Sequence, residues 1–285
     1  MASLLRSSLL VAFHSLLLLS ACHAAEKWKS LPPTPNLPEI TRTGYLELKD
    51  ARIWFATYGD ESKSVLLMLP GGGASSDYWS NQVKYFKDDY YVIVMDCRGQ
   101  GRSTDEGSTL SYELMASDVI ALLDRLQIKR TAVLGWSDGA NIGFYLALNS
   151  PDRISSLIAF GGNATPAGYQ PNTNRVIFDA YFARTKNEYV RLSPRPEKYA
   201  ATLSKLSKMW RTQPTLTSKD LGKISVRTAI IHAQYDEIIR RAHSDYLSKQ
   251  IPAARLIVLK GVSHFAFLQD STAFNEEVER LLQEK

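Results

Sequence analysis

Gly135-Trp136-Ser137-Asp138-Gly139 decides the reading of this 285-residue chain. The pentapeptide follows a short apolar run, Thr131-Ala132-Val133-Leu134, and opens into a helical pattern from Ala140 to Leu148. A strand, a sharp turn and a helix are therefore expected, with a serine at the apex. A serine hydroxyl is a weak nucleophile until a base takes its proton and the backbone exposes its oxygen. A strand-to-helix elbow exposes it, and the flanking glycines relieve the crowding and strained angles of such a turn. Alone, Gly-x-Ser-x-Gly is a weak signal; its strand–turn–helix setting and the residues downstream strengthen it.

Working outward, Gly44 to Leu48 and Arg52 to Tyr58 read as a hairpin around Lys49-Asp50. Continuous apolar runs follow at Val65–Leu69, Tyr91–Met95, Thr131–Leu134, Ile154–Phe160, Val226–Ile231 and Leu256–Leu259. Unbroken runs of strand length fit strands buried on both faces of a parallel sheet. Helical periods lie between them: Met115, Val119, Leu122 and Leu126 share one face, as do Phe274, Val278 and Leu281. Such alternation predicts an α/β fold, a mostly parallel doubly wound sheet. It breaks between residues 165 and 220, where helices are expected at Arg175–Tyr189 and Pro196–Trp210 as a short helical cap insert. Core residues 43–164 and 221–285 would flank it.

A serine nucleophile needs a histidine base and an acid to orient that base. His14 and His23 belong to the N-terminal segment, His232 ends a strand, and His243 lies in a helical run. His264 follows the last strand, on a loop at the carboxyl edge where open α/β sheets build their sites. Asp236 lies just past the preceding strand and is the expected acid, with Glu237 as the near alternative. The reaction also needs donors aimed at the developing oxyanion. Pro70-Gly71-Gly72-Gly73 follows Val65–Leu69 and lets backbone N–H groups approach a substrate, and the Asp138 N–H supplies a second donor.

This set resembles the α/β-hydrolase superfamily from about Gly44 to the C-terminus. The resemblance rests on Pro70-Gly71-Gly72-Gly73, on Asp96-x-Arg98-Gly99-x-Gly101-x-Ser103, on the elbow at Ser137, on Asp236 and on His264. The order Ser, Asp, His is that superfamily's order. It implies Ser137 as nucleophile, Asp236 as acid, His264 as base, and the Gly72 and Asp138 amides as oxyanion hole. The implied activity is hydrolysis of a carboxylic ester or related acyl substrate, without metal or organic cofactor. A C–C bond hydrolase, a lactonase, or a ligand-binding receptor that keeps the triad are the alternatives. A serine at the elbow separates the chain from epoxide hydrolases and haloalkane dehalogenases, which carry aspartate there. Gly-Trp-Ser-Asp-Gly looks most like the branch of valacyclovir-hydrolase-type esterases. One departure stands out: the superfamily usually has histidine before the loop glycines, and here Pro70 puts the loop's internal hydrogen bonding in question.

The N-terminus reads as a targeting segment, residues 1–24. Arg6 gives a positive start, Leu9 to Leu19 is mostly apolar but short for a membrane span, and Cys22-His23-Ala24 fits a small-x-small cleavage rule. Leu19-Ser20-Ala21-Cys22 also reads as a lipobox, so a secreted or periplasmic protein is the first expectation and a lipoprotein anchored through Cys22 the second. Residues 25–42, with Pro32, Pro33, Pro35 and Pro38, read as an extended linker. Export would leave Cys97 as the single cysteine, best read as a small, partly buried residue.

The net charge of +5 and the absence of zinc, Walker or aromatic-basic patterns give no sign of a nucleic-acid partner. Charge is uneven, however: residues 170–223 hold eleven Lys/Arg against four Asp/Glu, a net of +7. That excess would steer an anionic substrate or merely solvate a helical face. Asp138 argues the other way, as a carboxylate beside the nucleophile able to hold an ammonium group. Asn163-Ala164-Thr165 is a glycosylation sequon.

Overall fold

Among the described residues, the apolar runs assemble into one eight-stranded sheet: β1 (Arg42–Glu47), β2 (Arg52–Tyr58), β3 (Val65–Leu69), β4 (Tyr91–Met95), β5 (Thr131–Trp136), β6 (Ile154–Phe160), β7 (Thr228–Ala233) and β8 (Arg255–Leu259). The structure, a computed structural model, describes residues 26–171 and 175–284. The targeting segment at 1–24, with Cys22, lies outside the described residues. Strand order is β1-β2-β4-β3-β5-β6-β7-β8, antiparallel for β1/β2 and β2/β4 and parallel thereafter. Several strands extend beyond their apolar runs because backbone pairing sets their ends. β5 reaches Trp136, which pairs with Phe160, and β7 reaches Ala233, which pairs with Leu259.

Side chains alternate across a strand, so each run feeds two cores. On β3, Leu67 and Leu69 join one cluster while Leu66 and Met68 join the other. The remaining elements are α1 (Ser80–Phe86), α2 (Tyr112–Arg125), α3 (Asp138–Asn149), α4 (Arg175–Leu192), α5 (Tyr199–Thr212), α6 (Ser218–Leu221), α7 (Arg241–Gln250), α8 (Ala266–Gln269) and α9 (Ser271–Gln283). α2 and α3 cover the first face through Met115, Val119, Leu122, Ile142 and Leu146. α1 and α9 cover the second through Val83, Phe86, Phe274, Val278 and Leu281. Helices start where side chains cap them: Ser111 accepts from Leu114 N–H before α2, and Asp270 from Ala273 N–H before α9.

Between β6 and β7 the chain leaves the sheet and forms α4, α5 and α6. α4 runs three residues past the expected Tyr189, and Pro196–Lys198 is a 3₁₀ turn that only then passes into α5. The proline-rich stretch is extended after one 3₁₀ turn at Lys27–Lys29, and it is fastened to the molecule along its length. Arg184 of α4 donates to the Leu31 and Pro32 carbonyls, Ser80 Oγ to the Pro35 carbonyl at 3.0 Å, and Gln269 Nε2 to the Ser30 carbonyl at 2.8 Å. Trp28 stacks on Tyr235 with ring centroids 4.6 Å apart. Prolines keep such a strap extended at little entropic cost, and its carbonyls, free of any ladder, serve as acceptors for the elements it crosses.

Strand order reverses between β3 and β5, because β4 lies to one side of β3 and β5 to the other. Crevices at such switch points, at the carboxyl ends of the strands, are where doubly wound sheets bind ligands. The loops leaving these two strands carry Gly72 and Ser137.

Candidate active site

Ser137 joins β5 to α3 with φ 55° and ψ −115°. A non-glycine residue in that region stores on the order of 1–3 kcal/mol of strain and persists only when its surroundings fix it. They do: Ser137 N–H donates to the Phe160 carbonyl at 2.8 Å, and its own carbonyl accepts from Asn141 N–H at 3.0 Å. Both flanking glycines answer to close backbone approach. A Cβ at 135 would lie 2.4 Å from the Gly139 carbonyl oxygen, and one at 139 would lie 2.1 Å from the Leu69 carbonyl oxygen.

His264 and Asp236 meet as the sequence suggested. Imidazole Nδ1 lies 2.9 Å from Asp236 Oδ2 and 3.1 Å from Oδ1, with both side chains buried. Asp236 Oδ1 also accepts the Ile238 and Ile239 N–H groups at 2.9 and 2.8 Å. Burial alone would raise the Asp236 carboxyl, but the His264 charge and hydrogen bond outweigh it and hold the group below the ordinary carboxylate range. Burial alone would lower His264; the Asp236 charge and hydrogen bond, aided by Glu237 and Asp138, raise it above the usual imidazole value. The ring lies over Gly161 (φ +63°), where a Cβ would come within 2.7 Å of imidazole Cε1. Glu237 does not compete for Nδ1. Its Oε2 accepts the His264 backbone N–H at 3.1 Å, and its Oε1 takes the Ser263 hydroxyl at 3.4 Å. With Nδ1 engaged by a carboxylate, Nε2 is the nitrogen left for chemistry.

Ser137 and His264 stand on the wall of one cavity of about 580 Å³, together with Gly72 and Asp138. The described hydrogen bonds give the Ser137 hydroxyl no protein partner; such catalytic bonds commonly tighten only around a substrate. The Gly72 and Asp138 N–H groups likewise have no protein acceptor among the described hydrogen bonds. The loop after β3 is nevertheless held without the histidine that Pro70 replaces. Tyr181 OH donates to the Gly72 carbonyl at 2.8 Å, and Gly73 N–H donates to Gln100 Oε1 at 2.5 Å.

Asp138 is buried, and both its oxygens are taken: Tyr112 OH donates to Oδ1 at 2.7 Å and Trp210 Nε1–H to Oδ2 at 2.8 Å. Burial pushes its carboxyl up to about 6, against the pull of those two donors. The sequence pointed to Asp138 but not to the bonds it takes from Tyr112 and Trp210, 26 and 72 residues away. Nor did it point to Gln269. Gln269 Oε1 accepts the Ser263 N–H at 2.7 Å, and its Nε2 donates to Ser263 Oγ at 2.9 Å and to the strap at Ser30. No local pattern marks these residues: Tyr112 and Trp210 act on a partner remote in sequence, and Gln269, six residues from Ser263, is of a type common on any helix.

The remaining candidates fall elsewhere. His232 Nδ1 lies 3.0 Å from Ser244 Oγ, and His243 Nε2 accepts the Ala164 N–H at 2.9 Å; burial lowers both rings, and neither lines the cavity. Cys97 is buried, and burial lifts its thiol well above the usual range, so it has no thiolate character. The Asn163 amide is buried and already donates to the Thr165 carbonyl, which leaves the sequon inaccessible in the folded chain. Asp96, Arg98 and Ser103 brace the loop after β4: Asp96 accepts from Ser76 and Arg102, Arg98 grips Asp118 with two bonds, and Ser103 Oγ donates to the Asp96 carbonyl. Among the described residues no cluster of three or more His, Cys, Asp or Glu is arranged to hold a metal ion.

An eight-stranded sheet with its serine elbow at the switch point defines an α/β hydrolase, and the chain belongs to that superfamily: the sequence profile described as alpha/beta hydrolase fold matches residues 64–200. Two relatives align along most of their length. The chain is similar to 3-oxoadipate enol-lactonase 2 of Acinetobacter baylyi, 26% identical over 83% of this chain and 95% of that enzyme. It is similar to the serine hydrolase BPHL of Mus musculus, 25% identical over 78% of this chain and 80% of that one. Among solved structures, the enol-lactonase from Burkholderia xenovorans LB400 superposes with a TM-score of 0.69 at 22% identity, covering 85% of this chain and all of that one. With full-length relatives named as hydrolases, the chain is a hydrolytic enzyme.

Proposed function

We propose that the protein hydrolyses a carboxylic ester or a related small acyl substrate through Ser137, His264 and Asp236. The observation that carries this reading is the orientation of His264. Its Nδ1 is fixed on a buried carboxylate at 2.9 Å while the same ring and Ser137 share one cavity wall. His264 Nε2 takes the Ser137 Oγ proton as Oγ bonds to the acyl carbon. The tetrahedral oxyanion lies against the Gly72 and Asp138 amides. The carbon–oxygen bond to the leaving group then breaks, and His264 returns the proton to that oxygen. Water, deprotonated by the same nitrogen, clears the acyl-enzyme. Asp236 holds the tautomer and stabilises the imidazolium.

A lactone is a cyclic ester and needs no different machinery, so the enol-lactonase likeness supports a lactone as one form of the substrate. Hydrolysis of a C–C bond, and a receptor that binds without rapid turnover, are the rival readings. The bonds from Tyr181 and Gln100 to the loop after β3 favour a working oxyanion hole over the receptor. A fluorophosphonate probe and an ester panel test the proposal. Rapid labelling and ester turnover that both vanish in Ser137→Ala, with a loss of about 10⁴-fold or more, are expected. Folded wild type that neither labels nor turns over any ester or lactone would overturn it. Export completes the reading and rests on Arg6, Leu9–Leu19 and the small residues before Ala25. N-terminal sequencing of the mature chain separates cleavage near Ala25 from lipidation at Cys22.

A further inference from the structure

We propose that the cavity selects acyl groups whose far end carries a carboxylate, bound by Arg211 and Ser207 of α5. This rests on the serine-hydrolase reading above and names its substrate class.

Residues 170–223 are strongly basic, yet among the lining residues described Arg211 is the single Lys or Arg. Several other cations of the region are committed to protein partners. Arg184 holds the strap carbonyls, Lys205 pairs with Asp105, Arg195 with Glu106 at 3.3 Å, and Lys223 with Asp220 at 3.8 Å. Arg211 has no ion pair or hydrogen bond among the described residues. It is exposed, so its place on the wall is at the mouth.

Leu203, Ser207 and Arg211 recur at every fourth residue of α5, and all three line the cavity. Side chains at that spacing are neighbours on one helix face, roughly 5–6 Å apart at Cβ. A hydroxyl therefore stands beside a guanidinium, and the described hydrogen bonds occupy neither. That pair suits a carboxylate: the guanidinium fork takes two oxygens, and the hydroxyl adds a third donor. Below it the wall is apolar, with Phe178, Tyr181, Phe182 and Leu203, room for a methylene chain between carboxylate and scissile carbonyl. Asp138 on the same wall does not offer the opposite preference. Both of its oxygens already accept from Tyr112 and Trp210, so an ammonium group would compete with two formed bonds.

The experiment compares mono-p-nitrophenyl adipate and suberate with p-nitrophenyl hexanoate and octanoate, which match them in chain length. Wild type, Arg211→Gln, Arg211→Lys, Ser207→Ala and Ser137→Ala are assayed at low and high salt near neutral pH. Wild type should favour the carboxylated ester of each pair by about tenfold or more in kcat/KM, and salt should narrow the gap. Arg211→Gln should remove most of that preference, a fall of about tenfold, chiefly through KM. Arg211→Lys should retain part of it, and Ser207→Ala should cost a few-fold. Fluorophosphonate labelling of the Arg211 and Ser207 variants at the wild-type rate shows that the fold and Ser137 are intact. A wild type that turns over neutral esters as well as or better than carboxylated ones overturns the proposal and leaves the serine hydrolase standing. So does an Arg211→Gln variant with an unchanged preference. Ester turnover that survives Ser137→Ala would instead overturn the parent reading.

Discussion

The floor and the roof of the cavity are held in different ways. The floor is made of loops leaving β3, β5, β7 and β8, and hydrogen bonds to fixed groups pin nearly every functional side chain there. Asp236 has two backbone amides besides His264, Glu237 holds the His264 backbone, and Gln269 holds Ser263. The roof is made of α4 and α5, which meet the cavity with aromatic and aliphatic side chains and reach the floor through Tyr181 to the Gly72 carbonyl and Trp210 to Asp138. A floor over-determined in this way would hold reacting groups to the sub-ångström tolerance that the proposed acyl transfer demands. A roof joined mainly by apolar contact can change its side chains, and so its substrate, without moving the floor.

The sharpest break between the two comes from the two neighbouring acids. Asp236→Asn should lower kcat/KM by about 10³–10⁴-fold, because an amide in place of the carboxylate favours the wrong tautomer and no longer stabilises imidazolium. Glu237→Gln, which can still accept the His264 N–H, should cost less than about tenfold. The pH profile gives the sign. His264 must be neutral to accept a proton, and its folded value lies above the ordinary imidazole value, so activity should climb as pH rises through a midpoint above about 6.5. Asp236→Asn removes the main cause of that elevation, and the midpoint should move to lower pH even as the plateau falls. Equal losses in the two variants would show that Glu237 shares the orienting role.

Next in size is the link from floor to strap. Gln269→Leu removes the acceptor for the buried Ser263 N–H and the bond to the Ser30 carbonyl. An unsatisfied buried donor costs on the order of 1–3 kcal/mol, and the loop that carries His264 loses its anchor. Expected are a denaturation free energy lower by about 2 kcal/mol and a kcat lower by about tenfold, with KM little changed. An unchanged kcat in the folded variant would mean that the Asp236 and Glu237 contacts alone position the imidazole.

The same division explains what could be read from the sequence. The floor's chemistry lies in short local patterns: a serine between two glycines after an apolar run, a histidine and an aspartate each just beyond a strand. Strand and helix periods placed those patterns on one sheet edge, and the two-faced strands made the core legible. Tyr112, Gln100 and Gly161 are not legible, because each acts on a partner remote in sequence and belongs to a residue type common anywhere; Gln269 stands six residues from Ser263, but no pattern marks it. From the sequence the strap reads as a linker because its prolines announce an extended chain and say nothing of where it lies; its docking depends on Arg184, Ser80 and Gln269. Pro70 led the sequence to question a loop that Tyr181 and Gln100 hold from outside the motif. Asp138 beside the nucleophile suggested an ammonium site until its two oxygens proved to be occupied.

The smallest effect tests the tie between roof and floor. Trp210→Phe keeps the aromatic wall and deletes the donor to Asp138 Oδ2. Asp138 titrates at about 6 in the folded chain, raised by burial from an ordinary value of 3.8. The native state therefore holds a proton that the unfolded chain releases between those values. The stabilisation linked to that proton is full below about 4 and is lost as pH rises through about 6. The Trp210 bond favours the charged carboxylate, so its removal should push the titration higher and extend the loss of stability toward neutral pH. At pH 7 the variant should be less stable than wild type by about 1–3 kcal/mol, as for a hydrogen bond to a charged group. At pH 4, where the neutral carboxyl gains less from the indole, the gap should shrink. Ester turnover should fall only a few-fold, mainly through KM. A large fall in kcat would mean that the roof also sets the position of the Asp138 amide, and the two halves of the cavity would then act as one unit.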